Sequence, residues 1–322
     1  MHLARHLSRA CFVGVLLLPA ARVQAQDVFR DDERLGDERP EAWAMQRATA
    51  VTLMTSFGPV PALAPGQWQG ALELGHIPGL DAEEQRVGFH GTKHEDLDKS
   101  PVFGRARALL GLPGGWVVEL GYTPSLEIHG LRADDLFAAA IGRRLAAGER
   151  FTLSARAFGQ HGGMRGDITC PAELAGIEDG TRNPYGCQAP SDDRVTLNHY
   201  GLDLTGGWHA EGWLWHAGVG AVRSEPEVQV DALTYDVRDR SRLVARDVLP
   251  FAAVGVQRGL GERWSVGVEL LHVPLTVRRT LAADRERKGV TSLPPTRLPY
   301  QFRPKWNRLE KCRSCKDIAN GS

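Results

Sequence analysis

The feature that most constrains this chain is a two-residue alternation of apolar side chains with polar or small ones, which begins at Gln67 and recurs along most of the remaining length. In the clearest segment the two alternating sets are Trp116, Val118, Leu120, Tyr122 and Val117, Glu119, Gly121. Successive side chains on a β-strand point to opposite faces, so this pattern predicts strands that lie between two different environments. The fold class is therefore predicted to be all-β.

The connections between these segments alternate strictly between short and long. Tight turns at 113–115, 146–149, 209–212 and 259–262 alternate with mostly longer, polar connections at 78–101, 123–135, 161–194, 236–240 and 280–288. About ten strands result, within a range of roughly 8–12, and short turns on one rim with long loops on the other are typical of an antiparallel up-and-down transmembrane barrel. The predicted strands are 67–77, 102–112, 115–123, 136–145, 150–160, 195–208, 213–235, 241–258, 263–279 and 290–302.

Aromatic residues gather at the ends of these predicted strands. Six of them fall at the short-turn end and on the apolar face, namely Trp68, Trp116, Phe151, Trp208, Trp213 and Trp264. Aromatic rings favour the membrane interface, so the six are predicted to form one girdle of a membrane barrel. A soluble lipocalin-like barrel also alternates its faces and is the alternative.

The first 66 residues differ from the rest. Arg5 and Arg9 precede an apolar stretch that ends before Val23-Gln24-Ala25, which is the pattern of a signal peptide (1–25) cleaved after Ala25. Residues 26–66 are expected to form a short periplasmic segment, partly irregular, with a helix that opens at Pro40.

Hydropathy and charge exclude two classes of protein. The longest strongly apolar run, Ala10–Ala21, is too short for a spanning helix, which excludes a helical membrane protein. Without residues 1–25 the chain has 36 basic and 39 acidic side chains, a net charge of −3. A nucleic-acid-binding protein would show a basic footprint, so no nucleic-acid partner is expected.

The last predicted strand carries a motif as well as an alternation. Leu298, Tyr300 and Phe302 are spaced two apart, and the strand ends on the aromatic residue. Together with the signal peptide and the ten amphipathic strands, this motif resembles Gram-negative outer-membrane β-barrel proteins. The resemblance implies a barrel over 67–302 in the cell outer membrane, contact with outer-membrane lipid and with the barrel-assembly machinery, and a C-terminal tail over 303–322.

Four cysteines remain after the predicted cleavage. Cys170 and Cys187 flank the middle of the longest loop, and in an exported protein such a pair predicts a disulfide, with free reactive thiols as the alternative. Cys312 and Cys315 have the spacing of a redox motif, but they lack the surrounding βαβ pattern and make only half of a structural zinc site. No metal and no cofactor are assigned.

The inward face of the predicted barrel is rich in opposite charges. Its predicted charge network consists of Glu73, Arg105, Arg107, Glu119, Arg156, Asp203 and Glu269, with His199 and His216 nearby. A barrel of about ten strands is only slightly wider than the eight-stranded kind, whose interior side chains just fill. The network is therefore interpreted as a charge-paired structural plug, with a conducting path as the alternative.

Three classes of function remain compatible with the sequence. The first is a porin-like channel, a small-solute or lipid transporter, or a structural barrel. The second is an outer-membrane hydrolase, a protease or lipid-modifying enzyme. The third is a surface binding or adhesion protein that uses the disulfide-closed loop.

For a hydrolase the candidate groups are His90, His94, Glu95, Asp96 and Asp98 in the first long loop. They do not match the paired acidic and histidine motifs of ten-stranded outer-membrane proteases, so no catalytic residue is assigned. The small-molecule ligand is not identified.

Overall fold

The computed structural model describes residues 26–27, 32–261 and 263–287. Helix α1 spans Pro40–Thr52, helix α2 is a single turn at Gly88–Gly91, and a 3-10 turn spans Pro113–Gly115. No helix in these ranges is long and apolar enough to cross a membrane.

Ten antiparallel strands form a closed barrel. Each strand pairs with the next along the chain, and the last pairs with the first, with Arg279 opposite His76 and Arg287 opposite Trp68. Closure leaves no unpaired sheet edge between first and last strand, which is the condition for a sheet to span lipid. The predicted all-β barrel of ten strands is confirmed. The strands are β1 (Trp68–His76), β2 (Val102–Gly111), β3 (Trp116–Thr123), β4 (Leu131–Ala147), β5 (Phe151–Gly166), β6 (Asp193–Ala210), β7 (Trp213–Gln229), β8 (Asp247–Leu260), β9 (Trp264–Val273) and β10 (Thr276–Arg287).

Two predictions near the C-terminus, one of a strand and one of a loop, were wrong. The predicted strand 263–279 is a hairpin, because Pro274 and Leu275 form a two-residue turn between β9 and β10. The predicted loop 280–288 is instead most of β10. Its charged residues suggested a loop, but Arg278, Thr280 and Ala282 are buried on its inner face. The strand predicted to close the barrel, 290–302, lies outside the described residues together with its terminal aromatic motif and the 303–322 tail.

The long connections carry short strands of their own. Between β7 and β8 the connection runs over 230–246 and is longer than the predicted 236–240. The short strands are Gln26–Asp27, Asp32–Arg34, Arg86–Val87, Lys93–His94, Glu127–Ile128, Ala232–Thr234, Val237–Asp239 and Arg242–Val244.

The exterior of the barrel is apolar. Leu72 and Leu202 each expose 66% of their surface, and on β1 and β6 the outward positions follow the predicted alternation. The six aromatic residues predicted as a girdle are all exposed at the short-turn end. The Tyr122 and Phe137 rings also pack 5.0 Å apart on the outer face, near the end of β3 and partway along β4. An outward apolar band with an aromatic girdle at its edge is the exterior of a transmembrane β-barrel.

The N-terminal segment lies inside the barrel. Helix α1 begins at Pro40, as predicted, because proline suits the first helical turn. Before it, Asp32–Arg34 pairs with Arg242–Val244 at the long-loop rim. After it, the Gly66 amide donates to the Gly111 carbonyl at the short-turn rim. Residues 35–66, here called the plug, therefore run through the lumen from one rim to the other.

This placement differs from the expected periplasmic segment. Ala50, Leu53 and Met54 of the plug pack in one buried cluster with inward residues of the wall, among them Phe158 and Phe251. The lumen offered an apolar surface that could cover this part of the plug, whereas a periplasmic position would have left it in water.

The longest loop is closed by the predicted disulfide, which is confirmed. Cys170 and Cys187 are bonded across 17 residues of sequence, and both are buried. The loop packs against the neighbouring long connection, because the Gln188 amide donates to the Leu233 carbonyl at 3.0 Å. The disulfide therefore holds a loop that contacts the other loops of the same rim.

Candidate functional site

The inward faces of the strands carry a layer of charges at mid-height of the barrel. The register places Glu73 directly opposite Arg105, and Arg156 directly opposite Asp203, so each is a cross-strand pair of opposite charge. Opposite charges at paired positions attract across the sheet. The seven residues of the predicted charge network are all buried inside the barrel.

Ion pairs link most of these residues into one chain. Arg107 contacts Glu119 and, at 3.2 Å, Glu73. Arg156 continues the chain, with its Nη1 2.9 Å from Glu119 and its Nη2 2.8 Å from Asp203. Glu119 thus lies between two arginines and is the centre of the network.

Glu269 meets a histidine instead of an arginine. Its carboxylate lies 3.2 Å from Nε2 of His216, and both side chains are buried. His199 is also buried but contacts the Phe158 ring in an edge-on arrangement, and its two ring nitrogens have no hydrogen-bond partner among the described residues. The structure therefore places Glu269 beside His216 and not in the arginine chain.

One member of the charge layer was missed by the sequence analysis. Arg278 of β10 is fully buried, with its Nη2 3.7 Å from Glu73. The predicted network has four carboxylates and three arginines, and Arg278 supplies the fourth. The excess of one carboxylate over the arginines in the predicted network could have indicated a missing arginine, because buried charges in a narrow lumen must be paired.

The same arginines hold the plug. Helix α1 ends at Thr52, and the last carbonyls of a helix have no partner within it and carry partial negative charge. Four arginine side chains donate to the five consecutive carbonyls of Val51–Thr55, an arrangement here called the carbonyl latch. Its bonds are Arg278 to Val51 (3.0 Å) and Leu53 (2.8 Å), Arg105 to Thr52 (2.7 Å), Arg156 to Met54 (2.8 Å) and Arg107 to Thr55 (2.9 Å).

Further hydroxyl contacts fix the height of the plug in the lumen. The hydroxyl oxygens of Ser56 and Thr205 lie 2.8 Å apart, and the Ser224 hydroxyl donates to Thr49 at 3.0 Å. The Val60 amide donates to Ser154 at 3.1 Å. These bonds lie on both sides of the carbonyl latch in sequence, so the plug is bonded to the wall before, at and after the end of α1.

A cavity of about 390 Å³ lies between α1 and the wall, towards the long-loop rim. Much of its lining is apolar, including Met45, Ala48, Phe103, Leu136 and Val195. Together with the charge layer below it, this cavity forms the candidate site.

Charged groups at the edge of the cavity pair with one another. Arg39 bonds Glu41 at 3.0 Å, and Lys99 bonds Asp96 at 2.9 Å. Glu95 accepts two bonds from Lys93 at 2.9 Å. Burial nevertheless raises the pKa of Glu95 to about 7, because removal from water penalises the charged carboxylate more than Lys93 favours it.

The candidate hydrolase residues are not assembled into one site. Glu95 and Asp96 are engaged by lysines, and Asp98 accepts the Leu80 amide at 2.9 Å. His90 and His94 are exposed. Within the described ranges no group of three or more histidine, cysteine or acidic residues is arranged to hold a metal ion. Cys312 and Cys315 lie outside those ranges.

Comparison with known proteins gives structural matches only. No family model and no curated protein match the chain. The outer membrane channel COG4313 of Pseudomonas putida F1 is 11% identical, with 73% of this chain and 99% of that chain covered and a TM-score of 0.39. The Escherichia coli outer membrane protease OmpT is 10% identical over 69% and 94% of the two chains, with a TM-score of 0.36. The Pseudomonas putida toluene transporter TodX is 12% identical over 81% and 77%, with a TM-score of 0.30.

Proposed function

We propose that this protein is an outer-membrane channel for small solutes whose lumen is closed by its own N-terminal plug, and that solutes pass when the plug moves. The observation that carries the proposal is the carbonyl latch. At the latch, the barrel wall contacts the backbone of the plug through four buried arginine side chains and not through apolar side chains.

A polar lumen is more typical of a channel than of a barrel whose interior is permanently filled. The charge layer is balanced in number, because it holds four carboxylates (Glu73, Glu119, Asp203 and Glu269) and four arginines (Arg105, Arg107, Arg156 and Arg278). Buried ion pairs stabilise a fold no better than packed apolar residues of the same volume, so a purely structural interior has no need of them. When the plug is displaced, this lining is polar and admits water, as porin lumens do.

The contacts that hold the plug can be exchanged for water. Hydrogen bonds to charged groups each contribute about 1.5–3 kcal/mol when buried, but water offers the arginines equivalent acceptors once it enters. The apolar contacts of the plug lie in three buried clusters, around Ala50, Leu53 and Met54, around Leu35, Ala42 and Met45, and around Val60 and Leu63. Opening therefore requires the latch and these clusters to separate, while the barrel ladders stay intact.

The proposal includes export and membrane insertion. Cleavage after Ala25 delivers the chain to the periplasm, and the barrel-assembly machinery inserts it into the outer membrane without any nucleic-acid partner. The signal sequence and the apolar exterior with its aromatic girdle support this route.

A reversible cross-link tests whether the plug must move. Ser56→Cys with Thr205→Cys places two sulfurs where the hydroxyl oxygens lie 2.8 Å apart, so oxidation locks plug to wall. Single-channel conductance in planar bilayers is measured with the oxidised and the reduced protein. Cys312→Ser and Cys315→Ser are included in every variant to prevent other pairings.

The expected result is conductance for the reduced double variant and silence for the oxidised one. The two single-cysteine variants and the parent chain, each with and without reductant, control for the native Cys170–Cys187 bond. Equal conductance of the oxidised and reduced double variant would show that solutes do not need plug movement. Silence of every variant, including the parent, would rule out a channel.

A further inference from the structure

We propose, resting on the channel function above, that the cavity beside α1 binds a small, mainly apolar molecule with one hydroxyl or carbonyl group, which enters from the lipid through a gap in the wall between β2 and residues 124–128.

The gap is visible in the strand pairing. On one side of β2 the ladder with β1 continues to Val102, opposite His76. On the other side the ladder with β3 ends at Ala106, opposite Tyr122. Residues 102–105 of β2 therefore have no ladder partner on that side among the described residues. Pro124, which has no N–H to donate, follows the end of β3.

The gap lies at the height of the membrane. Trp68 of the aromatic girdle is opposite Leu110, and Val102 is eight residues farther along β2. Eight residues span about 27 Å along a strand, which a tilt of about 40° reduces to about 20 Å of height. That height is inside an apolar band of about 25 Å, so the gap faces the outer part of the lipid rather than the aqueous rim.

The cavity passes through the wall at this gap. Its lining includes Met45 and Ala48 of the plug, which lie inside the barrel. The lining also includes Val102 and Gly104, which point outward from β2, and Leu126, which is highly exposed. Residues of both faces line one continuous space, so a molecule dissolved in the lipid has a direct path to the plug.

The volume and polarity of the cavity determine which molecule fits in it. An apolar cavity of about 150 Å³ holds one benzene, so this one accommodates a molecule of two fused rings or an equivalent chain. Among the charged residues at its edge, Arg39 bonds Glu41, Lys99 bonds Asp96, and Arg47 donates to the Pro78 carbonyl at 2.6 Å. Thr123 is different, because the residue is only 8% exposed and its hydroxyl has no hydrogen-bond partner among the described residues.

A buried hydroxyl without a partner calls for one polar group on the ligand. Such groups are nearly always hydrogen-bonded in folded proteins, and a threonine hydroxyl both donates and accepts. Thr123 lines the cavity at the end of β3, next to the gap. A ligand hydroxyl or carbonyl at this position satisfies the threonine while the rest of the molecule contacts apolar side chains.

Binding is tested with 1-naphthol and naphthalene, which differ by one hydroxyl group. Equilibrium dialysis uses the full chain in lipid nanodiscs, with empty nanodiscs as the reference for partitioning. Thr123→Val keeps the side-chain shape and removes the hydroxyl, so the affinity for 1-naphthol should fall by about tenfold. The affinity for naphthalene should stay unchanged. Equal affinities of the parent and Thr123→Val for 1-naphthol would refute the anchor, and absence of saturable binding of either probe would refute the site.

The lateral route is tested at Gly104, where an added side chain narrows the gap. An added Cβ there meets only the Leu74 side chain at 3.4 Å and a backbone oxygen at 3.8 Å, so Gly104→Leu should fold. Gly206→Leu is the matched control, because Gly206 lies on β6 and its added Cβ also has only ordinary contacts. Gly104→Leu should slow the release of 1-naphthol into acceptor vesicles, and Gly206→Leu should not. Equal release rates in the two variants would refute lateral entry.

The oxidised Ser56→Cys, Thr205→Cys variant separates this proposal from the channel proposal. The cross-link lies below the cavity and leaves its lining unchanged, so 1-naphthol should still bind with the parental affinity. Binding without conductance in any redox state would refute the channel and support the cavity. Conductance without binding would refute the cavity and support the channel.

Discussion

Glu119→Gln removes one negative charge from the centre of the charge layer while keeping the size and shape of the side chain. Glu119 lies between Arg107 and Arg156, and all three side chains are buried. The substitution leaves the lumen with four arginines and three carboxylates. The amide of glutamine keeps one acceptor oxygen, so one arginine retains a neutral hydrogen bond and the other faces an N–H₂ group.

The magnitude follows from the burial of the partners. Removing one member of a buried ion pair costs about 3–5 kcal/mol, because the remaining charge is left without compensation. The retained hydrogen bond recovers part of this, which places the loss of stability at about 3–4 kcal/mol. The plug should loosen as well, because Arg107 and Arg156 also bind the carbonyls of Thr55 and Met54.

Urea unfolding in lipid vesicles, followed by the heat-modifiable gel shift of folded barrels, measures this loss. With a denaturant slope of up to about 3 kcal/mol per molar, the unfolding midpoint should fall by about 1 M or more. Glu149→Gln is the control, because Glu149 is exposed in the turn between β4 and β5 and should leave the midpoint unchanged. Arg107→Gln combined with Glu119→Gln removes one charge of each sign and should be less destabilised than the two single losses added together.

A midpoint for Glu119→Gln equal to that of Glu149→Gln would refute the reasoning. Such a result would mean that water already screens the arginines and that the charge layer is solvated rather than packed against the plug. In that case the conductance of Glu119→Gln should also equal that of the parent chain.

Three further predictions concern the exterior, the long loop and the rim. Leu72→Arg puts a charge on the lipid face and should cost about 2–4 kcal/mol near the bilayer midplane, measured by the same urea assay. Replacing Cys170 and Cys187 by serine should remove about 3 kcal/mol of loop stabilisation and speed proteolysis of the loop on intact cells. Unchanged proteolysis would show that the other contacts of the loop hold it without the disulfide. Because folding raises the pKa of Glu95 to about 7, its contribution to stability is full below the unfolded pKa of 4.5 and is lost as the pH rises through 7. Protease resistance around Lys93 should therefore fall between about pH 4.5 and 7, the range that the two pKa values bracket. A Glu95→Gln variant that kept the same pH dependence would show that another group is responsible.

The local period of the sequence by itself determined most of the barrel. Alternation places residues two apart on the same face, so the inward position of Glu73 or Arg156 and the outward position of Leu72 follow from short stretches of sequence. Turn residues determined most strand ends in the same way. The alternation failed at Pro274 and Leu275, because the inward Leu271 and Val273 and the outward Val277 are all at odd positions and look like one apolar period across the turn.

Only the tertiary structure decided what fills the barrel. The partners of the wall arginines are backbone carbonyls of Val51–Thr55, and a carbonyl leaves no mark in a sequence because every residue has one. The gap beside Val102 likewise depends on where two ladders stop, which is set by the closure of ten strands around the plug. The sequence determines locally, through residues two positions apart, which face of the wall a side chain occupies. Which polar groups meet across the lumen depends on residues more than 100 positions apart, such as Met54 and Arg156 at a separation of 102, and these are brought together only when the barrel closes.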